Sequence, residues 1–257
     1  MAKHIVSTAV LWAVLTAIGE ALIWSPIFPT TGSTEAHDFD HIFRTLLIMG
    51  IPVFTFVVAI LAYAMLEFRT KGEPAMNAAA LRGRGGIVPK VWLAVTSLLA
   101  VAVIIHPGLT GLAKLQGDKN GFGWGSTEFD LLIRVTAFQW SWQFEYPESG
   151  VTLAGAGRTL MLPDGARVRF EVQSTDVIHS VWIPAFRMKI DAIPGRTTFF
   201  TVDIDREGAF QGDSAYRIQC AELCGLSHGS MSFPINVVSA EEFRQWIAGQ
   251  VPAVGRR

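Results

Sequence analysis

Charge is scarce in this chain. Only 17% of its 257 residues are Asp, Glu, Lys or Arg and the formal balance is −1, so there is no basic field to hold a nucleic-acid backbone. No Walker-type loop or dinucleotide-binding glycine fingerprint is present, which removes the usual nucleotide cradles. Internal repeats and low-complexity tracts are absent. Cysteine is rarer still: there are two, four residues apart and without a Cys-x-x-Cys-His run, so a covalently attached haem is excluded.

What is plentiful is apolar sequence, 50% of the chain with a positive mean hydropathy, and that composition calls for a membrane portion. Three stretches, residues 5–24, 45–66 and 91–113, match the roughly 20 mostly apolar residues that cross a bilayer. Between the last two, Arg69, Lys71, Arg82, Arg84 and Lys90 outnumber Glu67 and Glu73, which sets this short loop in the cytoplasm. With Lys3 also inside, three crossings leave everything after Ala113 on the outer side. The first stretch shares its charged start and apolar run with secretory signals, but it is long for one and no small-x-small cleavage site follows, so a retained helix is expected.

Residues 114–127 are glycine-rich and polar and read as a linker. Beyond them the period changes. "RVRFEV" from Arg167 and "TTFFTVDID" from Thr197 alternate apolar with polar residues, and "PDG" at Pro163 and "PG" at Pro194 supply turns. An antiparallel β-sandwich or barrel is expected, closed by the helix "AEEFRQWIAG" behind a cap at Ser239.

Both cysteines lie in "CAELCGLSHGSM", with His228 and Met231 inside the same twelve residues. A disulfide is the plain reading on the oxidising side of a membrane. The inventory widens the choice, because His179 and His228 are the only histidines after Ala113. Zinc would take Cys220, Cys224, His179 and His228 and leave the thioether idle. A mononuclear blue-copper site wants two His, one Cys and a weak axial Met, leaving one thiolate over. Two coppers use the whole set: both sulfurs bridge, each metal gains one histidine, and Met231 and the carbonyl of Glu222 fill the weak axial positions. Such a closed cage carries electrons and has no position for a substrate.

At this level of detail the chain resembles subunit II of haem-copper cytochrome c oxidases. The resemblance rests on "DVIHSVWIPAFRMKIDAIPGR" (from Asp176), "CAELCGLSHGSM" and "QWSWQFEYP" (from Gln139), in that family's pattern behind a transmembrane hairpin. It implies N-terminal transmembrane α-helices followed by an all-β cupredoxin-like Greek-key barrel. The corresponding segments are 1–42 (an extra helix and outer loop), 43–113 (the hairpin), 114–127 (the linker) and 128–257 (the copper A domain with its C-terminal helix). It also implies a dinuclear copper A centre on His179, Cys220, Glu222 through its carbonyl, Cys224, His228 and Met231. None of these is missing, unlike in the quinol-oxidising relatives. The Glu222 carboxylate is expected to share a magnesium ion with subunit I.

On the same resemblance Trp140 is the surface indole that receives electrons from cytochrome c, with Glu145 and Asp176 as docking acids. The other rings of "QWSWQFEYP" are expected to pack in the β core. Implied partners are subunit I, which carries the haems and the oxygen chemistry of this proton-translocating oxidase, subunit III, the donor cytochrome and membrane lipid. No nucleic acid and no haem belong to this chain. A bacterial-type plasma membrane is the implied location, with the copper domain outside.

Departures from the family pattern are local. Pro89 stands where many members carry a glutamate at a proton entrance, Ser141 replaces a tyrosine, and Phe138 replaces a histidine. "HDFDH", with His37, Asp38, Asp40 and His41, reads as a solvated loop, and a cation site there is the lesser reading. Two other functions share some of these features: the copper A domain of another reductase, which needs a second catalytic copper domain, and a membrane-anchored copper carrier or assembly protein, which needs an open, exchangeable site.

Overall fold

A computed structural model describes residues 2–26, 28–67, 69, 87–111, 128–155 and 157–250. Most of the basic loop after Glu67 and the whole 114–127 linker lie outside the described residues, as does the end of the third expected span at Ala113. The chain forms two compact units, residues 1–27 with 41–112, and residues 28–40 with 113–257.

The first unit is helical. Helix α1 (Ala2–Ile23), helix α2 (Thr34–Glu67) and the stretch Pro89–Leu109 are long and apolar enough to cross a membrane. There α3 (Ile87–Val103) is followed by a kinked segment, Ile104–Leu109, in which His106 leaves helical geometry at φ −138°, ψ 120°. Helix α1 packs on α2 through a small residue and polar pairs, the usual means of helix association in lipid. A Cβ on Gly19 would sit 2.6 Å from Ile51 Cγ2, Thr16 and Thr55 share a 2.7 Å hydroxyl hydrogen bond, and Trp12 Nε1 donates to the Pro52 carbonyl at 2.8 Å.

One expectation needs correction here. "HDFDH" is the start of α2 and not a loop, because Ser33 caps the helix about twelve residues before the apolar run begins: its hydroxyl accepts from Ala36 N–H at 3.1 Å. Acidic Glu35 then sits in the first turn, where the helix dipole favours it.

The second unit is built of two sheets around one core. The first contains β1 (Leu131–Phe138), β2 (Ser141–Tyr146), β3 (Val151–Ala154), β5 (Arg167–Ser174) and β8 (Thr198–Asp203), in the order β3-β2-β1-β5-β8. The second contains β4 (Leu160–Pro163), β6 (His179–Ile183), β7 (Met188–Ala192), β10 (Arg217–Cys220) and β11 (Ser232–Val238), in the order β4-β11-β10-β6-β7, with β9 (Gly208–Ala209) beside β11. Alternate residues face inward, as a pleated strand requires: Ile133, Val135 and Ala137 on β1, Val168, Phe170 and Val172 on β5, and Phe233, Ile235 and Val237 on β11 are all buried. This is the cupredoxin-like sandwich. It is not purely antiparallel, since β1 pairs β5 and β4 pairs β11 in parallel. The terminal helix α4 (Ala240–Gln250) begins at the expected cap, with Glu242 N–H donating to Ser239 Oγ at 3.2 Å.

Candidate metal centre

Strand pairing assembles the site. Cys220 ends β10 and lies opposite Val181 of β6. His179 is two residues before Val181 and therefore on the same face. Its Nδ1 comes 3.9 Å from Cys220 Sγ, and the imidazole is fully buried. The loop after β10 is pinned at its base, Cys220 N–H donating to Met231 O and Ala221 N–H to Ser180 O, both at 3.0 Å. Tight turns then fold it back: His228 N–H reaches Gly225 O at 3.2 Å and Met231 N–H reaches His228 O at 3.2 Å. Those turns bring His228 Nδ1 to 3.6 Å and Met231 Sδ to 3.8 Å from Cys224 Sγ.

The two sulfurs are 3.7 Å apart and both thiols are free. A disulfide bond would be about 2.05 Å long. Each sulfur has one imidazole nitrogen beside it. Cys220 Sγ also lies 3.3 Å from the Glu222 carbonyl, while Cys224 has the thioether. Among the described residues, His179, Cys220 and Cys224 form the one group of three or more His, Cys or carboxylate side chains close enough to hold an ion. The "HDFDH" residues form no such group; His37 Nε2 lies 3.6 Å from Asp205 Oδ2 instead.

Electrostatics around the cluster follow from its burial. Burial, and then the neighbouring Cys220 thiol, push Cys224 up to about 11, so without metal it is a neutral thiol at physiological pH. Asp176 behaves oppositely. Burial acts upward on its carboxyl, but hydrogen bonds from His179 and from the Gln139 and Val177 amides outweigh it and hold the pKa down at about 2. The Asp176 carboxylate can only accept, so the proton on His179 sits at Nε2, 2.9 Å away, and the Nδ1 lone pair is left facing Cys220.

Trp140 is 38% exposed, and its indole N–H donates to the Cys224 carbonyl at 3.2 Å, alongside Gln139 Nε2 at 2.8 Å. Trp142, Phe144 and Tyr146 are buried, and the Trp142 ring meets His179 edge-on at 6.2 Å between centroids. Glu145 lies on β2 in register with Arg134 and makes no hydrogen bond or ion pair with the ligand-type side chains among the described residues. The Glu222 side chain is exposed.

Three positions near the cluster carry tasks that the letters did not announce. Asp176 orients His179; its spacing three residues before the histidine was the available sign. Gln139 supports the Cys224 carbonyl, with no sign in the sequence. Gly225 has φ of +117°, and a Cβ there would lie 3.1 Å from Gln139 Nε2 and 3.2 Å from Trp140 Cζ2, so both the backbone and the space demand glycine.

The donor set fits a soft metal pair. Two thiolates within bridging reach of each other, one imidazole for each and a weak sulfur or carbonyl donor on either side suit copper, whereas structural zinc would use four strong ligands and leave Met231 and the carbonyl idle.

Comparisons with known proteins find relatives that share one name. A family model for the cytochrome c oxidase subunit II periplasmic domain matches residues 150–239. The chain is 28% identical to a probable cytochrome c oxidase subunit 2 of Rickettsia prowazekii, over 89% of this chain and 73% of that one. It is 36% identical to a probable cytochrome c oxidase subunit 2 of Streptomyces avermitilis, over 48% of this chain and 52% of that one. Among solved structures, the periplasmic domain of cytochrome oxidase subunit II (CoxB) of Bradyrhizobium japonicum is similar at 31% identity, covering 48% of this chain and 94% of that one with a TM-score of 0.42.

Proposed function

We propose that the chain, as a member of the cytochrome c oxidase subunit II family, is the electron-accepting subunit of a terminal oxidase, with a dinuclear copper A centre on His179, Cys220, Glu222, Cys224, His228 and Met231. One observation carries this reading: two free sulfurs 3.7 Å apart with one imidazole nitrogen beside each. When bound, the copper pair would supply a one-electron carrier with no coordination position open to a substrate.

The chain's own residues do the rest. Cys220 and Cys224 would give up their protons and hold the metal as thiolates. Asp176 holds His179 in the tautomer that offers Nδ1. Both sulfurs lie out of reach of water, Cys220 and Cys224 being buried, and the buried Trp142 ring backs the His179 imidazole. Trp140 offers an exposed indole whose N–H contacts the backbone carbonyl of a ligand residue, a short route from a docked cytochrome c to the sulfurs. Leu223 and Leu226 in the same loop face solvent, giving the small apolar surface that a short-lived electron-transfer encounter uses. Glu145 and Asp176 would add carboxylate charge around it and steer a basic partner. Electrons then pass to haem in subunit I, where dioxygen is reduced. The Glu222 carboxylate would share magnesium with that subunit, and subunit III would complete the assembly.

This is a membrane-anchored subunit with an outer-side domain. We place three crossings in a bacterial-type plasma membrane, the basic loop inside. The test is replacement of Cys220 by serine: two coppers bind to the parent chain, and the variant loses the dinuclear spectrum. Full dinuclear occupancy in the serine variant overturns the assignment.

A further inference from the structure

The connector that leads from α1 into the first two turns of α2 lies far from the β-domain in sequence, yet residues 28–40 belong to the compact unit that carries the sulfur cluster. Its contacts are those of a docked element. Gly32 N–H donates to Ala185 O at 2.9 Å, Asp205 N–H reaches Gly32 O at 3.4 Å, and Ser33 forms an antiparallel bridge with Ile204. Glu35, 6% exposed, accepts the Asp203 amide on both carboxylate oxygens at 3.1 Å, at the end of β8. Ser33 and Ala36 are fully buried.

Arg187 is the anchor. It occupies the left-handed region at φ 55°, just after the 3-10 turn Pro184–Phe186, and its guanidinium forks onto Asp40 with two 2.9 Å hydrogen bonds. The same group donates to the carbonyls of Pro29, Thr30 and Pro184. Only 12% of the arginine side chain and 16% of the aspartate side chain reach solvent. A buried, bidentate pair of this kind leaves a costly bare charge if one partner goes. The fit is close elsewhere too: a Cβ on Gly32 would lie 2.9 Å from Tyr216 Oη and 3.2 Å from Phe186 Cε1.

The turn that Arg187 and Gly32 grip also joins the two ligand-bearing strands. It continues β6, which begins at His179, and Ala185 N–H donates to Ala215 O, two residues before β10, which ends at Cys220. We infer that the connector is a strap seated in a receptor groove of the outer domain, and that strap and sandwich form one cooperative unit. The sandwich is therefore completed by residues that precede the hairpin, and a domain cut at residue 128 has its groove unfilled and its arginine unpaired. This inference stands on packing and holds whichever metal the cysteines bind.

Native-state hydrogen exchange on the intact chain in detergent tests it, because segments that open only with the whole unit exchange in its slowest class. The Gly32, Asp203 and Asp205 amides are expected to exchange with the core amides of β1 and β5 and to merge with them as denaturant is added. Asp40→Asn is expected to accelerate both sets together by about tenfold or more, the size set by a lost charge-assisted hydrogen bond. Gly32→Ala, which leaves the ion pair intact, is expected to do the same. Strap amides that exchange in a fast class while β1 and β5 stay protected, in the parent chain or in either variant, overturn it.

Discussion

Asp176 Oδ1 accepts from His179 Nε2 at 2.9 Å while the other ring nitrogen of the same histidine lies 3.9 Å from Cys220 Sγ. The aspartate, three residues upstream, thus decides which imidazole nitrogen has a free lone pair. Removing its charge by Asp176→Asn is expected to weaken copper binding about 10- to 100-fold, the usual size of such an outer-sphere loss. A competition titration against a copper chelator measures it. Unchanged affinity would show that His179 needs no orienting partner.

Metal uptake should depend on pH in a definite direction. Cys224 is held up at about 11 without metal, so its proton must leave for the thiolate to bind. Apparent copper affinity therefore rises with pH across the neutral range, by up to about tenfold per pH unit for each proton displaced. Titrations at pH 6, 7 and 8 read the slope, and a flat profile contradicts the thiolate role. Asp176, held at about 2, stays ionised throughout and contributes nothing to that slope.

Gly225→Ala puts a methyl group against Gln139 and Trp140 at a positive-φ position. A loss of about 1–3 kcal/mol in stability is expected from backbone strain, with displacement of the Trp140 indole. Thermal unfolding and tryptophan fluorescence report the two effects separately. If neither moves, the close approach at this glycine is unimportant.

Trp140→Phe removes the N–H that reaches the Cys224 carbonyl but keeps an aromatic surface. Oxidation of reduced cytochrome c by the assembled oxidase should slow while the copper spectrum stays in place. Unchanged kinetics count against this indole as the point where electrons arrive.

Much of this was legible in the sequence because it is local. Five of the six proposed ligand residues fall within twelve positions, and His179 stood out as the only other histidine of the outer domain. The Ser239 cap, the turns at Gly165 and Gly195, and the strands at Arg167 and Thr198 are likewise short-range signals, although only the first of these strands alternates in burial. What stayed hidden depends on pairing across the chain. The β6–β10 register that sets His179 beside Cys220 has no local mark, and neither do the parallel β1–β5 and β4–β11 pairings. The early start of α2 was masked because a polar first turn, docked on protein and not on lipid, reads like a loop.

Copper counting joined to electron paramagnetic resonance of the oxidised chain is the most direct measurement. Two coppers per chain, with one unpaired electron coupled equally to both nuclei, are predicted from the sulfur pair and its two imidazoles. A single bound metal, or hyperfine structure from one nucleus alone, contradicts the account.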